Sequence, residues 1–148
     1  MSPAARGGPS IYRRILCATD ASPETRRATD QALALAELLG AELLALYVVD
    51  VDYHTGIHLR AEVLEEEQTG LACVNEVVAE AQQRGVAARP LLVKGEPGPT
   101  ILDVAESEGA DLVVLGRHGQ GLLEKVLLGS VASYVAEHSR VAVLLVPG

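Results

Sequence analysis

Aromatic side chains are nearly absent from this sequence, which has four Tyr, no Phe and no Trp among its 148 residues. Single-stranded nucleic acids are usually bound by stacking bases on aromatic rings, and this chain offers few such rings. Its net charge of -8 also argues against a surface that follows a phosphate backbone. We therefore expect no nucleic-acid partner.

Cysteine is equally scarce, with only Cys17 and Cys73 present. Two cysteines in apolar surroundings cannot form a disulfide framework, and we expect both to act as small hydrophobic residues. Long apolar runs are missing as well. The longest, at 33–49, is interrupted by two glutamates and a glycine, whereas a membrane-spanning helix needs about 20 apolar residues. With no segment of signal-peptide type near the N-terminus, the sequence predicts a cytoplasmic protein without membrane insertion.

What the chain does contain is aliphatic material, because 49% of its residues are hydrophobic. That is enough to bury the core of one domain, which we expect to span residues 11–148. Residues 1–10 are rich in Pro, Gly, Ser and Ala, and they are predicted to form a flexible lead-in.

Short apolar runs alternate with segments of helical periodicity along the chain. The predicted strands are 14–19, 43–49, 87–94, 111–115 and 141–146. The predicted helices are 23–39, 59–84, 100–109 and a fourth with Val131, Tyr134, Val135 and His138 on one face. This alternation is typical of the α/β class. It predicts a doubly wound five-stranded parallel sheet of order 3-2-1-4-5 with helices on both faces.

Local signals add detail to the first two helices. Ser22 is predicted to cap the first helix, and Gly40 to end it. In the second helix, Leu71 is expected on the apolar face and the glutamates at 65–67 in water. Gly70 would weaken the middle of that helix.

The two edges of such a sheet differ in protection. The third strand carries Arg89, Pro90 and Lys94, and proline with cations discourages unwanted pairing at an edge. The fifth strand, Val141 to Val146, has no such residues. We therefore predict a homodimer in which the fifth strands of two subunits pair across a two-fold axis.

Ligands of doubly wound sheets bind beyond the carboxyl ends of strands one and four. Strand one ends in Thr19 and Asp20, and strand four continues into the glycine-rich segment 116–121. Farther along, Gly129 and Ser130 open the last helix. Glycines expose backbone N–H groups, and a helix N-terminus favours anions, so this arrangement predicts a phosphate site.

Three other nucleotide or phosphate motifs are excluded by their residues. The chain has no GxxxxGK followed by Ser or Thr, so it is not a P-loop protein. No glycine follows the first strand, as the dinucleotide fingerprint requires. The third strand ends without the aspartate of a receiver domain.

The segments ILCATDASPE and GADLVVLGRHG, with the spacing of Gly116, Gly119, Gly129 and Ser130, carry a family resemblance. Over 12–147 the chain resembles universal stress proteins of the nucleotide-binding kind. The resemblance implies a fold like that of adenine nucleotide α-hydrolases, with ATP, or else ADP or AMP, as ligand.

The resemblance also implies roles for individual residues. Asp20 would lie beside the adenosine, the main chain of Val48 would meet the adenine edge, and Ala18 and Thr19 would complete that wall. The ribose and phosphates would be held by Gly116, Arg117, Gly119, Gly129, Ser130 and Val131. Independently of the resemblance, the glycines on either side of His118 would let it approach a phosphate.

Four polar residues keep an alternative interpretation. Arg117 replaces a small residue common in the family, and it either contacts a phosphate or extends into solvent. Asp20 precedes a helix, where aspartate often only forms a turn. His54 and His58 are four residues apart but have no third metal ligand of evident spacing, so we expect them in solvent or merely near the nucleotide.

The function that the resemblance implies is regulatory. The protein would be an ATP-binding stress-response homodimer whose nucleotide state changes its surface toward an unidentified client protein. No residue resembles a positioned catalytic base, so we expect slow hydrolysis at most. If hydrolysis occurs, Mg²⁺ would bridge the phosphates, with Asp20 as the nearest carboxylate, through water. The alternatives are an adenylating or ATP-hydrolysing enzyme of the same fold and a nucleotide-free dimeric scaffold.

Overall fold

The structure is a computed structural model that describes residues 11–50, 59–118 and 128–148. Three predictions lie outside these residues. They concern the lead-in at 1–10, the histidines His54 and His58, and the loop glycine Gly119.

The described strands form one parallel sheet. They are β1 (Arg14–Thr19), β2 (Glu42–Asp50), β3 (Ala88–Gly95), β4 (Leu112–Gly116) and β5 (Ala142–Val146). Their order is β3-β2-β1-β4-β5, and every neighbouring pair is parallel. The predicted fold class and strand order are therefore confirmed, and each strand boundary lies within one residue of its prediction.

Helices cover both faces of the sheet. They are α1 (Arg26–Leu39), α2 (Leu59–Gln83), α3 (Pro97–Glu108) and α4 (Ser130–His138). Ile15 of β1 belongs to the core that includes Val74 of α2, and its neighbour Leu16 belongs to the core that includes Ile101 of α3. Both strand residues are fully buried. This double coverage explains why the strands are continuous apolar runs rather than alternating ones.

The starts of two helices differ from the predicted positions. A 3₁₀ turn, Pro23–Thr25, precedes α1, and α3 begins at Pro97 instead of Thr100. Prolines fit the first turn of a helix because the N–H groups there have no intrahelical acceptor. Gly40 ends α1 in the left-handed conformation, with φ of 67°, as predicted. Within the described ranges, none of the helices combines the length and apolar character that crossing a bilayer requires.

Several side chains predicted to share one face of a helix with apolar residues are exposed. Leu71 is 47% exposed, and Tyr134 and His138 stack on each other at the surface of α4 with ring centroids 4.2 Å apart. The helix α4 instead packs through Ala132 and Val135. Apolar residues occur on two neighbouring faces of the helix. Their periodicity alone therefore could not show which face packs on the sheet.

Gly70 lies within an uninterrupted α2 and is buried, contrary to the predicted weak point. A Cβ at this position would stand 2.7 Å from Cγ of Tyr47, which real side chains do not tolerate. The glycine therefore allows α2 to approach the ring of Tyr47 on β2 closely. Its cost in helix propensity is offset by this packing.

The two edges of the sheet are β3 and β5, as predicted, and they differ in how far they are protected against pairing with another strand. On β3, Arg89 pairs with Glu42 at 2.9 Å and with Glu108 at 2.6 Å, and Lys94 pairs with Glu67 at 2.6 Å. Among the described strands, β5 pairs with β4 alone. Its central residues are only partly buried.

Candidate functional site

A cavity of about 330 Å³ lies at the carboxyl ends of β1, β2 and β4. It forms there because neighbouring crossovers leave the sheet in opposite directions beside β1. The predicted site residues that the structure describes all line it: Ala18, Thr19, Asp20, Val48, Gly116, Arg117, His118, Gly129, Ser130 and Val131. The structure thus brings them together, while their contacts with a nucleotide stay a prediction.

Further lining residues were not expected from the sequence: Thr25, Tyr47, Asp50, Glu66, Pro97, Ile101, Leu115 and Ala132. Asp50 ends β2, so the strand-end rule that selected Thr19 and Asp20 could have found it. Glu66 had no such signal. It was expected in water, but the packing of α2 against β2 turns it into the cavity.

Asp20 forms a turn and lines the cavity at the same time. Its Oδ1 accepts hydrogen bonds from the backbone N–H of Ser22 at 2.9 Å, from the Ser22 hydroxyl, and from Oγ1 of Thr25 at 3.3 Å. The prediction that the side chain of Ser22 caps the helix is therefore wrong. Its hydroxyl donates to Asp20 instead. The turn holds the carboxylate beside the end of β1.

The turn is also held from β1. Ala21 adopts a left-handed conformation with φ of 65°, which costs a residue with a Cβ about 1–2 kcal/mol. Its N–H donates to Oγ1 of Thr19 at 3.1 Å, and that hydroxyl also lies 3.1 Å from Oγ1 of Thr25. These bonds support the strained residue.

The two cysteines each contact a threonine hydroxyl near this turn. Sγ of Cys17 contacts Oγ1 of Thr29, and Sγ of Cys73 contacts Oγ1 of Thr19. Burial raises the pKa of Cys17 to about 12 and also raises the pKa of Cys73. Both thiols are therefore neutral at pH 7. Cys17 is fully buried, as expected, whereas Cys73 is half-buried.

One end of the cavity, at β2 and α2, is acidic. Oε1 of Glu66 lies 3.4 Å from both the hydroxyl of Tyr47 and the backbone N–H of Asp50, each of which donates to it. Burial, with the nearby Glu66 carboxylate, raises the pKa of Tyr47 to about 12, so its hydroxyl stays protonated. Two carboxylates at this end make it unfavourable for phosphate.

The opposite end, between β4 and α4, offers hydrogen-bond donors. The N–H of Arg117 donates to the carbonyl of Val146, and the N–H of Gly129 donates to the carbonyl of Arg117, each at 2.9 Å. The first backbone bond of α4 runs from Ser133 to Gly129. The preceding N–H groups of this helix have no intrahelical acceptor and lie at the cavity, where an anion would be favoured.

Gly116 and Arg117 complete this end. A Cβ on Gly116 would stand 3.0 Å from the carbonyl oxygen of His118, so a side chain there would press on the loop. Nε of Arg117 is buried without a hydrogen-bond partner in the described part of the chain.

Metal binding by side chains alone finds little support in the described ranges. They hold no group of three or more His, Cys, Asp or Glu residues that could bind a metal ion. A Mg²⁺ near Asp20 would therefore need phosphate oxygens and water as its other ligands.

The fold and the cavity together define a doubly wound α/β protein with a cavity at the strand ends. The model of the universal stress protein family matches residues 11–147. The chain belongs to the universal stress protein family.

Two relatives illustrate the similarity in sequence. A universal stress protein of Methanocaldococcus jannaschii, MJ0531, is 35% identical over 147 residues, which cover 95% of this chain and 85% of that protein. One from Synechocystis, Sll1388, is 36% identical over 150 residues, which cover 91% and 97%.

Solved structures share the fold. MJ0577 of Methanocaldococcus jannaschii matches with a TM-score of 0.81 and 29% identity, over 92% of this chain and 96% of that one. A universal stress protein in complex with cAMP matches with a TM-score of 0.66 and 26% identity, over 92% and 97%. One from Archaeoglobus fulgidus in complex with dAMP matches with a TM-score of 0.64 and 25% identity, over 91% and 98%.

Proposed function

We propose that this protein binds an adenine nucleotide, ATP in particular, in the cavity at the strand ends. The observation that carries this proposal is the polarity of the cavity. Its β4–α4 end presents backbone N–H groups and a buried guanidinium donor that has no partner among the described residues, and its β2–α2 end carries carboxylates. Phosphates would lie at the first end, and the uncharged base would lie toward the second.

The lining between the two ends suits a nucleoside. Ala18, Ile101 and Leu115 supply apolar surface for a flat base, and Val48 offers main-chain groups at its edge. Asp20, held by its turn, stands where a ribose hydroxyl could donate to it. The bound cAMP and dAMP of the two related structures are adenine nucleotides, which supports this class of ligand.

A regulatory role agrees with these residues better than rapid catalysis does. Asp20 is held in its turn through Oδ1, and the buried Cys17 thiol stays neutral, so that thiol is not prepared to attack a substrate. We propose a cytoplasmic protein whose nucleotide state alters its surface toward a client protein, with weak hydrolysis at most. Mg²⁺ bound with the nucleotide would neutralise part of the phosphate charge.

The test is to acid-quench freshly purified protein, identify any released nucleotide by chromatography, and record melting curves with and without magnesium ATP. At about 100 times its Kd, ATP adds about 2.7 kcal/mol, and the melting temperature should rise by roughly 5 to 10 °C. A protein that releases no nucleotide and shows no shift would contradict the proposal. It would leave the nucleotide-free scaffold as the function to pursue.

We further propose that two copies pair through β5. The carbonyl of Val146 accepts a hydrogen bond from Arg117, on the β4 side. In a strand, the N–H and C=O of one residue point to the same side, and this side alternates from one residue to the next. Leu145 and Val143 therefore direct their backbone groups away from β4. They form the edge that a second copy could pair with.

Replacing Val143 by proline should therefore dissociate the dimer without unfolding the subunit. The change removes an outward N–H, which an edge strand tolerates. Light scattering after size exclusion is expected to give the mass of one chain for Val143→Pro and of two for the wild type. Leu144→Pro is the contrasting variant, since its N–H faces β4, and it should unfold the protein. A dimeric Val143→Pro would place the interface elsewhere.

A further inference from the structure

Arg117 differs from the other arginines whose contacts the structure describes. Arg14, Arg26, Arg84 and Arg89 each contact a carboxylate. Arg117 forms no ion pair with a described residue, although its Nε is buried. Buried donors are seldom left without an acceptor, because they lose their bonds to water. A ligand could supply the acceptor for Nε of Arg117.

The backbone of Arg117 is fixed next to the start of α4. Its N–H and C=O are bonded to Val146 and Gly129, so the side chain leaves the loop from a defined point. β2 and β4 lie on either side of β1, and their ends are therefore about 10 Å apart. On the proposed function, a nucleoside whose base is at Val48 extends across β1, and its phosphates reach the loop.

The lining offers few positive charges for a phosphate chain. The N–H groups at the start of α4 can meet one phosphoryl group. Among the described lining residues, Arg117 is the only Lys or Arg, and the other charged ones include Asp20, Asp50 and Glu66. Each additional phosphoryl group brings further negative charge, which the planar guanidinium can bind through two hydrogen bonds.

We propose that Arg117 is a ligand of the terminal phosphoryl groups and makes the site select nucleoside di- and triphosphates over monophosphates. This proposal rests on the proposed adenine nucleotide site. It assigns to Arg117 one of the two roles that the sequence left open, and it excludes the solvent-exposed one.

The test compares the binding of adenosine, AMP, ADP and ATP by isothermal titration calorimetry. The proteins are the wild type, Arg117→Met, Arg117→Lys and the control Arg27→Met, which removes the same charge from an exposed position outside the cavity. Arg117→Met should raise the Kd for ATP at least about tenfold and leave that for adenosine within about twofold. Arg117→Lys should restore part of the loss, and Arg27→Met should bind like the wild type.

Melting curves without ligand separate this role from a structural one. Because Nε of Arg117 has no partner to lose among the described residues, Arg117→Met should melt at the same temperature as the wild type or higher. If Arg117 had a structural role, its replacement would instead lower the melting temperature and weaken the binding of all four ligands together. That result would overturn the inference.

Two further outcomes have distinct meanings. If Arg117→Met and the wild type bind ATP equally well, the inference is wrong, but the nucleotide site stands. If the wild type binds none of the four ligands, the proposed function fails as well.

Discussion

Replacing Gly70 by alanine is expected to destabilise the protein by about 1 kcal/mol. In most helix interiors the same change stabilises by about 1 kcal/mol, because alanine has the higher helix propensity. Here the added Cβ would stand 2.7 Å from Cγ of Tyr47, so the ring or the helix must shift. Forcing an extra methyl group into a packed interior costs typically about 1–3 kcal/mol. Urea unfolding of the two proteins measures the difference.

A double-mutant cycle tests this cause directly. In a Tyr47→Ala background the clash is gone, and Gly70→Ala should then stabilise by about 1 kcal/mol. The sign of the effect thus reverses. If Gly70→Ala has the same effect in both backgrounds, the close approach between Tyr47 and α2 does not explain the glycine. Because Tyr47 also lines the cavity, Gly70→Ala should weaken nucleotide binding in addition.

Replacing Ser130 by aspartate is expected to abolish the stabilisation by ATP while leaving the fold intact. Ser130 is the first residue of α4, exposed, and part of the cavity lining. An acidic side chain near a helix N-terminus is favourable by about 0.3–1 kcal/mol, so the protein without ligand should melt at the same temperature or higher. A carboxylate about 4 Å from a phosphate would lower the affinity by about 100-fold or more.

Asparagine provides the matched control, since it has nearly the shape of aspartate without the charge. Ser130→Asn should retain most of the melting shift with ATP, and Ser130→Asp should show little or none. Equal shifts for the two variants would mean that the phosphates do not lie at the start of α4. The polarity on which the proposed function rests would then be wrong.

The sheet and the residues at its strand ends could be predicted from the sequence for a local reason. Strands covered on both faces must be continuous apolar runs, and Leu43 to Val49 is one that no half-exposed strand would contain. Alternation with helices then leaves few topologies, and the carboxyl ends of the strands lie along one edge. Thr19, Asp20, Gly116 and Ser130 could therefore be predicted to lie together, and all four line one cavity.

Some features were ambiguous because a residue type permits two roles. Asp20 could form a turn or face a ligand, and the structure gives it both positions, with Oδ1 in the turn and the residue in the cavity wall. Arg117 could bind an anion or extend into solvent. That its Nε is buried follows only from the tertiary structure, which also bonds the Arg117 backbone to Val146 and Gly129.

The sequence by itself determined the α/β class, the strand order, the family and the residues at the strand ends. These follow from periodicity and local spacing, which act over a few residues. Only the tertiary structure decided that Gly70 is required by Tyr47, that Glu66 lies in the cavity, and that Tyr134 and His138 are exposed. Each of these features depends on contacts with an element that is distant in sequence. Those contacts are set by the packing of the helices on the sheet.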